Sequence, residues 1–306
     1  DTAALRAGLL AGGIGLALAL LLSAGLLIPI RQLTGAARRM AAGERGQKVP
    51  VKGGDEIAEL ARSFNTMTDS LKHAEEERRS MTADIAHELR TPLAVQRAHL
   101  EALLDGIYPM DAEHIQVVLS QTDLLSRLVE DLRTLALSEA GELPLQMSAL
   151  KPAEIAASAA GRFKSQADER KIKIILEESI EGGSCPEVMG DAGRIEQILN
   201  NLLSNALRFT PDGGEIHLSA ACARGELKIK VQDSGPGIPP DALPFVFDRF
   251  YRADRARSRN DGGSGLGLAI ARQLARAHGG DLTAANAGAG GGGGAEFVLS
   301  LPLMVK

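Results

Sequence analysis

Residues 7 to 30 are 24 consecutive positions without a charged side chain. Read as a helix, a stretch of that length crosses a bilayer core with some tilt. No other feature constrains the fold as strongly, because in lipid the backbone must satisfy its own hydrogen bonds. Arg31, Arg38, Arg39, Arg45 and Lys48 follow. Basic residues collect on the cytoplasmic side, so the C-terminal bulk is expected in the cytoplasm. A signal peptide would need a small-residue cleavage site before these arginines, and none is clear. A buried core helix is the weaker alternative at this length. The chain opens on Asp1 without an initiator Met, from which a fragment is expected.

The 306 residues suggest about two domains by the usual prior, more if small helical modules are present. A net charge of -5 leaves no basic footprint for nucleic acid. With no Trp and 3% aromatics, the cores must be aliphatic. Cys185 and Cys222 lie far apart with no CxxC or Cys/His cluster. Two free thiols in a reducing compartment are expected, rather than a zinc site or a redox pair.

Two apolar seams follow the uncharged stretch: Ile30, Leu33, Ala37, Met40, then Ile57, Leu60, Phe64, Met67, Leu71. Steps of three and four are heptad spacing, which favours parallel packing between chains. The connector, 43–54, holds Gly, Pro and a Val49/Val51 alternation. The second helix runs on through Glu75–Arg79 into a segment with Met81, Ile85, Leu89, Leu93, Leu100, Leu103 and Ile107 on one side. Gly106 to Asp111, with Pro109 inside, reads as a turn. Val118, Leu125, Leu128, Leu132 and Leu135 mark the returning helix. Two such helices bury too little alone, whereas a homodimer makes them a four-helix bundle.

From about 148, beyond a Gly141–Pro144 linker, the pattern becomes α/β. Helices are expected at 152–168, 192–209 and 266–278, and strands at 171–177, 216–218, 227–231 and 297–301. Gly290 to Gly294 reads as a hairpin loop with no site role.

Helical residues advance about 100° each. His87 is two positions from both Ile85 and Leu89, so it faces away from them and is expected to be exposed. A neutral imidazole is a competent nucleophile. Glu88 can accept from one ring nitrogen and leave the other free to attack. Thr91 lies one turn on, on the same face. Pro92 is expected to bend the helix. The other five histidines, His73, His99, His114, His217 and His278, read as surface or packing residues.

Asn201 and Asn205 are one turn apart and can point to one place. An amide oxygen is a hard ligand that suits Mg²⁺, although helix-surface amides are the bland alternative. Asp233, Gly235 and Gly237 end a strand; a carboxylate there can accept from an adenine amino group, yet any strand can end in an Asp-Gly turn. Gly263, Gly265 and Gly267 open a helix, whose N–H groups suit phosphate. Each motif is weak alone.

In this order, His87-Glu-Leu-Arg-Thr-Pro92, Asn201-Leu-Leu-Ser-Asn205, Asp233-Ser-Gly-Pro-Gly237 and Gly263-Ser-Gly-Leu-Gly267 resemble the transmembrane sensor histidine kinases of bacterial two-component systems, from about residue 29 to the C-terminus. The resemblance implies a multidomain chain. A transmembrane helix (7–30) leads to a HAMP parallel coiled coil (29–80), whose pattern Pro29 and Asp55-Glu56 match. A dimeric four-helix bundle for phosphotransfer (75–140) follows. Last comes an α/β sandwich ATP-binding domain of the Bergerat type (148–306), shared with gyrase, Hsp90 and mismatch-repair ATPases. It implies ATP-dependent autophosphorylation of His87, transfer to an aspartate of a cognate response regulator, and phosphatase activity on that regulator. It also implies a homodimer in the bacterial inner membrane, with a cytoplasmic catalytic part and no nucleic-acid partner.

By the same resemblance Glu88 assists autophosphorylation and Thr91 places a water for dephosphorylation. Asn205 is the Mg²⁺ ligand with Asn201 nearby, Arg208 lies near the phosphates and Phe209 near the base. Asp233, Gly235 and Gly237 hold adenine, and Gly263, Gly265, Leu266 and Gly267 the phosphates. Phe247 to Gly262 looks like a lid with its aromatics anchoring the start, and Arg252 and Arg255 as phosphate contacts. Met81 to Thr91 and the Phe-Tyr-Arg-Ala-Asp run are similar to envelope-stress sensor kinases. Two other readings stay open: an ATP-hydrolysing conformational machine on the same ATP fold, and a catalytically inactive membrane scaffold.

Overall fold

The uncharged sequence becomes helix α1 (Thr2–Leu22), which passes through a π-helical turn (Ser23–Leu27) into α2 (Ile28–Ala41). The structure, a computed structural model, describes residues 2–44, 46–178, 187–223, 225–252, 264–288 and 293–303. Leu5 to Ala41 is long and apolar enough to cross a membrane, and Leu9, Ile14 and Leu20 are all exposed. Pro29 sits in the first turn of α2, where a missing N–H costs least. The chain divides into two compact units, Asp1–Ala86 and His87–Lys306.

In the first unit the connector that follows α2 forms no strand among the described residues. Val49 points in and Val51 is exposed, as the alternation requires. Asn65 fixes this connector: its Oδ1 accepts from Val49 N–H at 2.9 Å and its Nδ2 donates to Val49 C=O at 2.9 Å. Ala36, Val49 and Ala61 form the core, with Leu33 and Phe64 against them. The expected seam is thereby divided. Leu33 and Phe64 pack within the chain, whereas Ala37, Leu60, Met67 and Leu71 stay exposed, because the small Ala36 and Ala61 allow close approach one position round.

Helix α3 (Glu56–Leu104) continues without interruption through Pro92. The Gly106 turn follows. Asp111 then caps α4 (Ala112–Glu139) by accepting from His114 N–H. Gln96 of α3 donates to the Thr122 hydroxyl of α4 at 2.8 Å, which sets the antiparallel register. Leu103, Leu128 and Leu135 are buried, while Leu93, Leu100, Leu119 and Val129 remain exposed. Asp131 on α4 is half-buried, and desolvation pushes its carboxyl up to about 6 against the pull of Arg127. A raised carboxyl costs stability once it ionises, so stability falls as pH rises from ~4 towards 6 and stays low above. Asp131→Asn is expected to raise the unfolding free energy at pH 8 by on the order of 1 kcal/mol and to change little at pH 4. Thermal melts at the two pH values check this.

The α/β domain contains β1 (Ser148–Leu150), α5 (Pro152–Glu169), β2 (Lys173–Glu178), β3 (Val188–Gly190), α6 (Ala192–Phe209), β4 (Glu215–Ala223) and β5 (Glu226–Asp233). A 3₁₀ turn at Leu243–Phe245 precedes α7 (Gly267–Ala277), β6 (Asp281–Ala287) and β7 (Gly293–Pro302). Five strands form one sheet in the order β2-β4-β5-β7-β6, with β2 and β4 parallel and the other pairs antiparallel. Leu227, Ile229 and Val231 of β5 alternate inward with Phe297 and Leu299 of β7. They meet Ile195, Ile198, Leu199 and Leu202 of α6 and Ile270 and Leu274 of α7, which leaves a two-layer sandwich with Lys228 and Glu296 on the open face. The C-terminal end of α4 rests on α7: Ser138 Oγ donates to the Gln273 carbonyl, and Glu139 pairs with Arg249.

Three strands depart from the sequence expectation. β1 and β3 are three-residue strands that pair with each other. β6 is rich in Ala and Asn, poor strand formers, and exists because β7 supplies its ladder. Gly293 and Gly294, read as loop, belong to β7, and 289–292 lie outside the described residues. Cys222 is disulfide-bonded, not a free thiol. Cys185 itself is outside the described residues.

Candidate active site

His87 is exposed on α3, while Ile85 and Leu89 are half-buried, as the helical spacing requires. Glu88 is half-buried beside it. Thr91 Oγ1 donates to the His87 carbonyl oxygen at 3.4 Å, which places the hydroxyl one turn on along the same face. Its lone pairs remain available to a water. Pro92 is buried within the helix.

The second constellation lies where α6, α7 and the end of β5 converge. α6 starts on an Asp191 cap that accepts from Arg194 N–H. Its apolar face is buried, which orients Asn201 and Asn205, both half-buried, to one side. Asn201 Nδ2 donates to Gly267 C=O at 2.9 Å and ties α6 to the first residue of α7. Asn205 makes no hydrogen bond among the described residues, so its amide is open to a ligand. Arg208 stacks over the exposed Phe209 ring at 5.5 Å.

Asp233 is only 4% exposed at the end of β5. Its Oδ1 accepts from Gly235 N–H at 2.8 Å and Ala295 N–H at 3.1 Å. Burial pushes the carboxyl up and these two bonds pull it down. Among the described residues nothing bonds Oδ2, which suits an adenine amino donor. A Cβ on Gly235 would stand 2.7 Å from the Phe209 carbonyl. Gly237 has φ of 76° and lies against Asn286. These close approaches leave a cradle that side chains would fill.

At the glycine-rich loop before α7, Gly265 has φ of 71°, and its carbonyl accepts from Phe250 N–H at 3.0 Å. Phe250 also has positive φ, 58°, an uncommon backbone state for an aromatic. Leu266 is fully buried, so only its main chain can meet a ligand, and its N–H is held by Ser264 Oγ. Gly263 and Arg255 lie outside the described residues, as do the other positions from 253 to 263, where a lid is expected. The aromatic residues ahead of that stretch are packed. Phe245 meets Tyr251, Phe247 meets Phe297 edge-on, and Arg272 covers Phe247 at 4.8 Å.

Two contributors escaped sequence reading. Asn286 holds the Asp233–Ile238 loop by accepting from Ile238 N–H and donating to Ile238 C=O, both at 2.7 Å. Gly294 is the second, since a Cβ there would fall 1.5 Å from the Asp233 carbonyl. Its place at the end of a glycine run was the only signal.

Comparison with known proteins adds three family matches. Residues 22–73 match the HAMP domain, and 77–141 match the His Kinase A (phospho-acceptor) domain. Residues 190–305 match the histidine kinase-, DNA gyrase B- and HSP90-like ATPase family, whose ATP-binding fold implies ATP use. The signal transduction histidine-protein kinase BaeS of Escherichia coli is 36% identical over 87% of this chain and 56% of its own length. AfsQ2 of Streptomyces coelicolor is 36% identical over 95% of the chain and 57% of its length. The chain thus spans little more than half of these relatives. Among solved structures, the Acinetobacter baumannii histidine kinase AdeS superposes with TM-score 0.60 and 28% identity, over 72% of this chain and 98% of that one. Full-length ShkA in complex with AMPPNP gives TM-score 0.55 and 30% identity over 74% of this chain and 46% of its own. An exposed histidine on a hairpin helix and an open Asp-Gly cradle thus occur in a chain whose three domain matches follow the order HAMP, phospho-acceptor, ATPase, and it belongs to the HAMP-containing sensor histidine kinases.

Proposed function

We propose that this chain is an ATP-dependent kinase that phosphorylates its own His87 and passes the phosphoryl group to an aspartate of a cognate response regulator. The observation that carries this is the pairing of an exposed His87 with a nucleotide cradle whose Asp233 Oδ2 and Asn205 amide are open. One ring nitrogen of neutral His87 attacks the γ-phosphorus of ATP. The N–P bond forms as the bond to the β,γ-bridging oxygen breaks, and ADP leaves with that electron pair. Glu88 accepts the proton of the other ring nitrogen through a hydrogen bond, which offsets the charge that builds on the imidazole. Asp233 accepts from the adenine amino group. Gly235 and Gly237 admit the ring, and Phe209 lies beside it. Gly263, Gly265, Leu266 and Gly267, ahead of and at the start of α7, offer main-chain contacts to the phosphates, with Arg208 and Arg252 as charge partners. Asn205, with Asn201 nearby, would hold Mg²⁺, which would supply neutralisation of phosphate charge. Incubation with ATP labelled at either the γ- or the α-phosphate tests the reading. Label is expected on the protein from the γ-position only, and none from either position would refute it.

The working arrangement we propose is a membrane helix over 7–30, a relay module over 29–80, a phosphotransfer hairpin over 75–140 and an ATP-binding domain over 148–306. The membrane is the bacterial inner membrane, with the catalytic part on the cytoplasmic side. Exposed Leu93, Leu100, Leu119 and Val129 need cover, and a second copy of the hairpin provides it. Light scattering of the cytoplasmic part at micromolar concentration is expected to give a dimer mass. A folded monomer would contradict the four-helix bundle.

Thr91 separates two activities. Autophosphorylation needs the imidazole, Glu88 and ATP in line, and a hydroxyl one turn away adds little. Dephosphorylation of the regulator needs an oriented water, which Thr91 can hold. Thr91→Ala is therefore expected to keep autokinase activity within about twofold and to slow regulator dephosphorylation about tenfold or more, within the range for a water-positioning group. The decay of purified phospho-regulator with ADP and Mg²⁺ measures it. Decay as fast as with the unmodified protein would remove Thr91 from this role.

A further inference from the structure

His278, which reads in sequence as a surface or packing residue, is 4% exposed at the end of α7. Its Nδ1 lies 2.8 Å from the Leu274 carbonyl, an acceptor only, so Nδ1 must carry the proton. Nε2 is then an acceptor, and it receives the Asp191 N–H at 3.1 Å. Asp191 is itself buried and fully engaged: Oδ1 accepts from Arg194 N–H and Oδ2 from Gln146 N–H at 2.8 Å. One knot therefore joins the end of α7, the start of α6 and the linker that arrives from α4.

The proposed nucleotide residues stand farther along, from the middle of α6 onward and at the start of α7. There Asn201 of α6 holds Gly267, the first residue of α7. Asp191 to Asn201 along α6 and Gly267 to His278 along α7 are matched spans of about 15 Å each. The helices are thus antiparallel, and α7 is pinned to α6 at both of its own ends, to the start of α6 and to its middle. Sliding α7 along α6 would carry its N-terminal N–H groups away from Asn201 and Asn205, and would have to break the His278–Asp191 bond. We infer that His278 is a positioning residue for the nucleotide, setting where the phosphate-facing end of α7 stands relative to Asn201 and Asn205. The inference rests on the ATP-binding role proposed above.

The test uses the full chain in detergent, with Mg²⁺ and a non-hydrolysable ATP analogue. His278→Leu leaves the Asp191 N–H unpaired in a buried site. It is expected to weaken the analogue's Kd and raise the KM for ATP about tenfold, with the labelling rate at saturating ATP changed less than twofold. His278→Gln presents an amide oxygen at the position of Nε2 and is expected to restore both to within twofold. Unchanged binding in a folded Leu variant, or a Gln variant as weak as the Leu one, would overturn the inference. Should the Leu variant not fold, ¹⁵N imidazole spectra of the unmodified chain decide. The His278 signal, assigned by its loss in the Gln variant, is expected to show the Nδ1–H tautomer and to shift when the analogue binds; no shift contradicts the role. Failure of the unmodified chain to bind the analogue would instead refute the ATP site itself.

Discussion

His87→Gln is expected to yield a protein that binds ATP as the unmodified chain does and carries no phosphoryl label. Gln keeps a polar side chain of similar reach on an exposed face of α3, so the helix loses no core contact. What it removes is the nitrogen lone pair that attacks phosphorus, and an amide nitrogen is no substitute. The proposed nucleotide cradle is built from α6, β5 and α7 and contains no atom that the change alters. The loss should therefore be complete in labelling and negligible in nucleotide Kd. Both are read from one preparation, by gel autoradiography and by equilibrium binding. Label retained on the variant would mean that another residue accepts the phosphoryl group.

Gly265→Val is expected to abolish autophosphorylation by a different route. The residue has φ of 71°, and a Cβ there would sit 2.9 Å from both the Cα and the carbonyl carbon of Phe250. A non-Gly residue in such a conformation costs about 1–3 kcal/mol, and about 1.4 kcal/mol is a factor of ten. The clash is with main chain, which cannot rotate away as a side chain can, so the Phe250 backbone must be displaced. A loss of about 100-fold or more in labelling rate at subsaturating ATP is expected. Asn205→Ala should match it, through the loss of the proposed metal ligand, without disturbing Phe250. Near-normal labelling of either variant at saturating ATP and Mg²⁺ would sink that assignment.

Local periodicity made much of this architecture legible. The apolar stripe of α6 marked 192–209 to the residue, and the two-residue alternation of β5 identified a strand with one covered face. The exposed setting of His87 followed from its distance to Ile85 and Leu89. What was hidden depends on partners distant in sequence. β6 has no strand-forming composition and is a strand because β7 lies beside it. Gly294 and Asn286 look unremarkable until folding brings them to Asp233 and Ile238. The heptad seams indicated which face of α3 is apolar, but not that Ala36 and Ala61 close the contact within the chain and leave Leu60 and Met67 outside. His278 was unreadable for the same reason, since its meaning lies in Asp191, whose N–H reaches it from the far end of another helix.

In the proposed reaction His87 itself carries the phosphoryl group. The most direct measurement is to incubate the unmodified chain with γ-labelled ATP and Mg²⁺, test the stability of the protein-bound label, and map it by peptide mass spectrometry. A phosphoramidate on imidazole is acid-labile and alkali-stable, so the label should be lost in acid, survive alkali and map to the peptide containing His87. Label that survives acid, or maps elsewhere, would contradict the account, as would free phosphate released with no label on the protein.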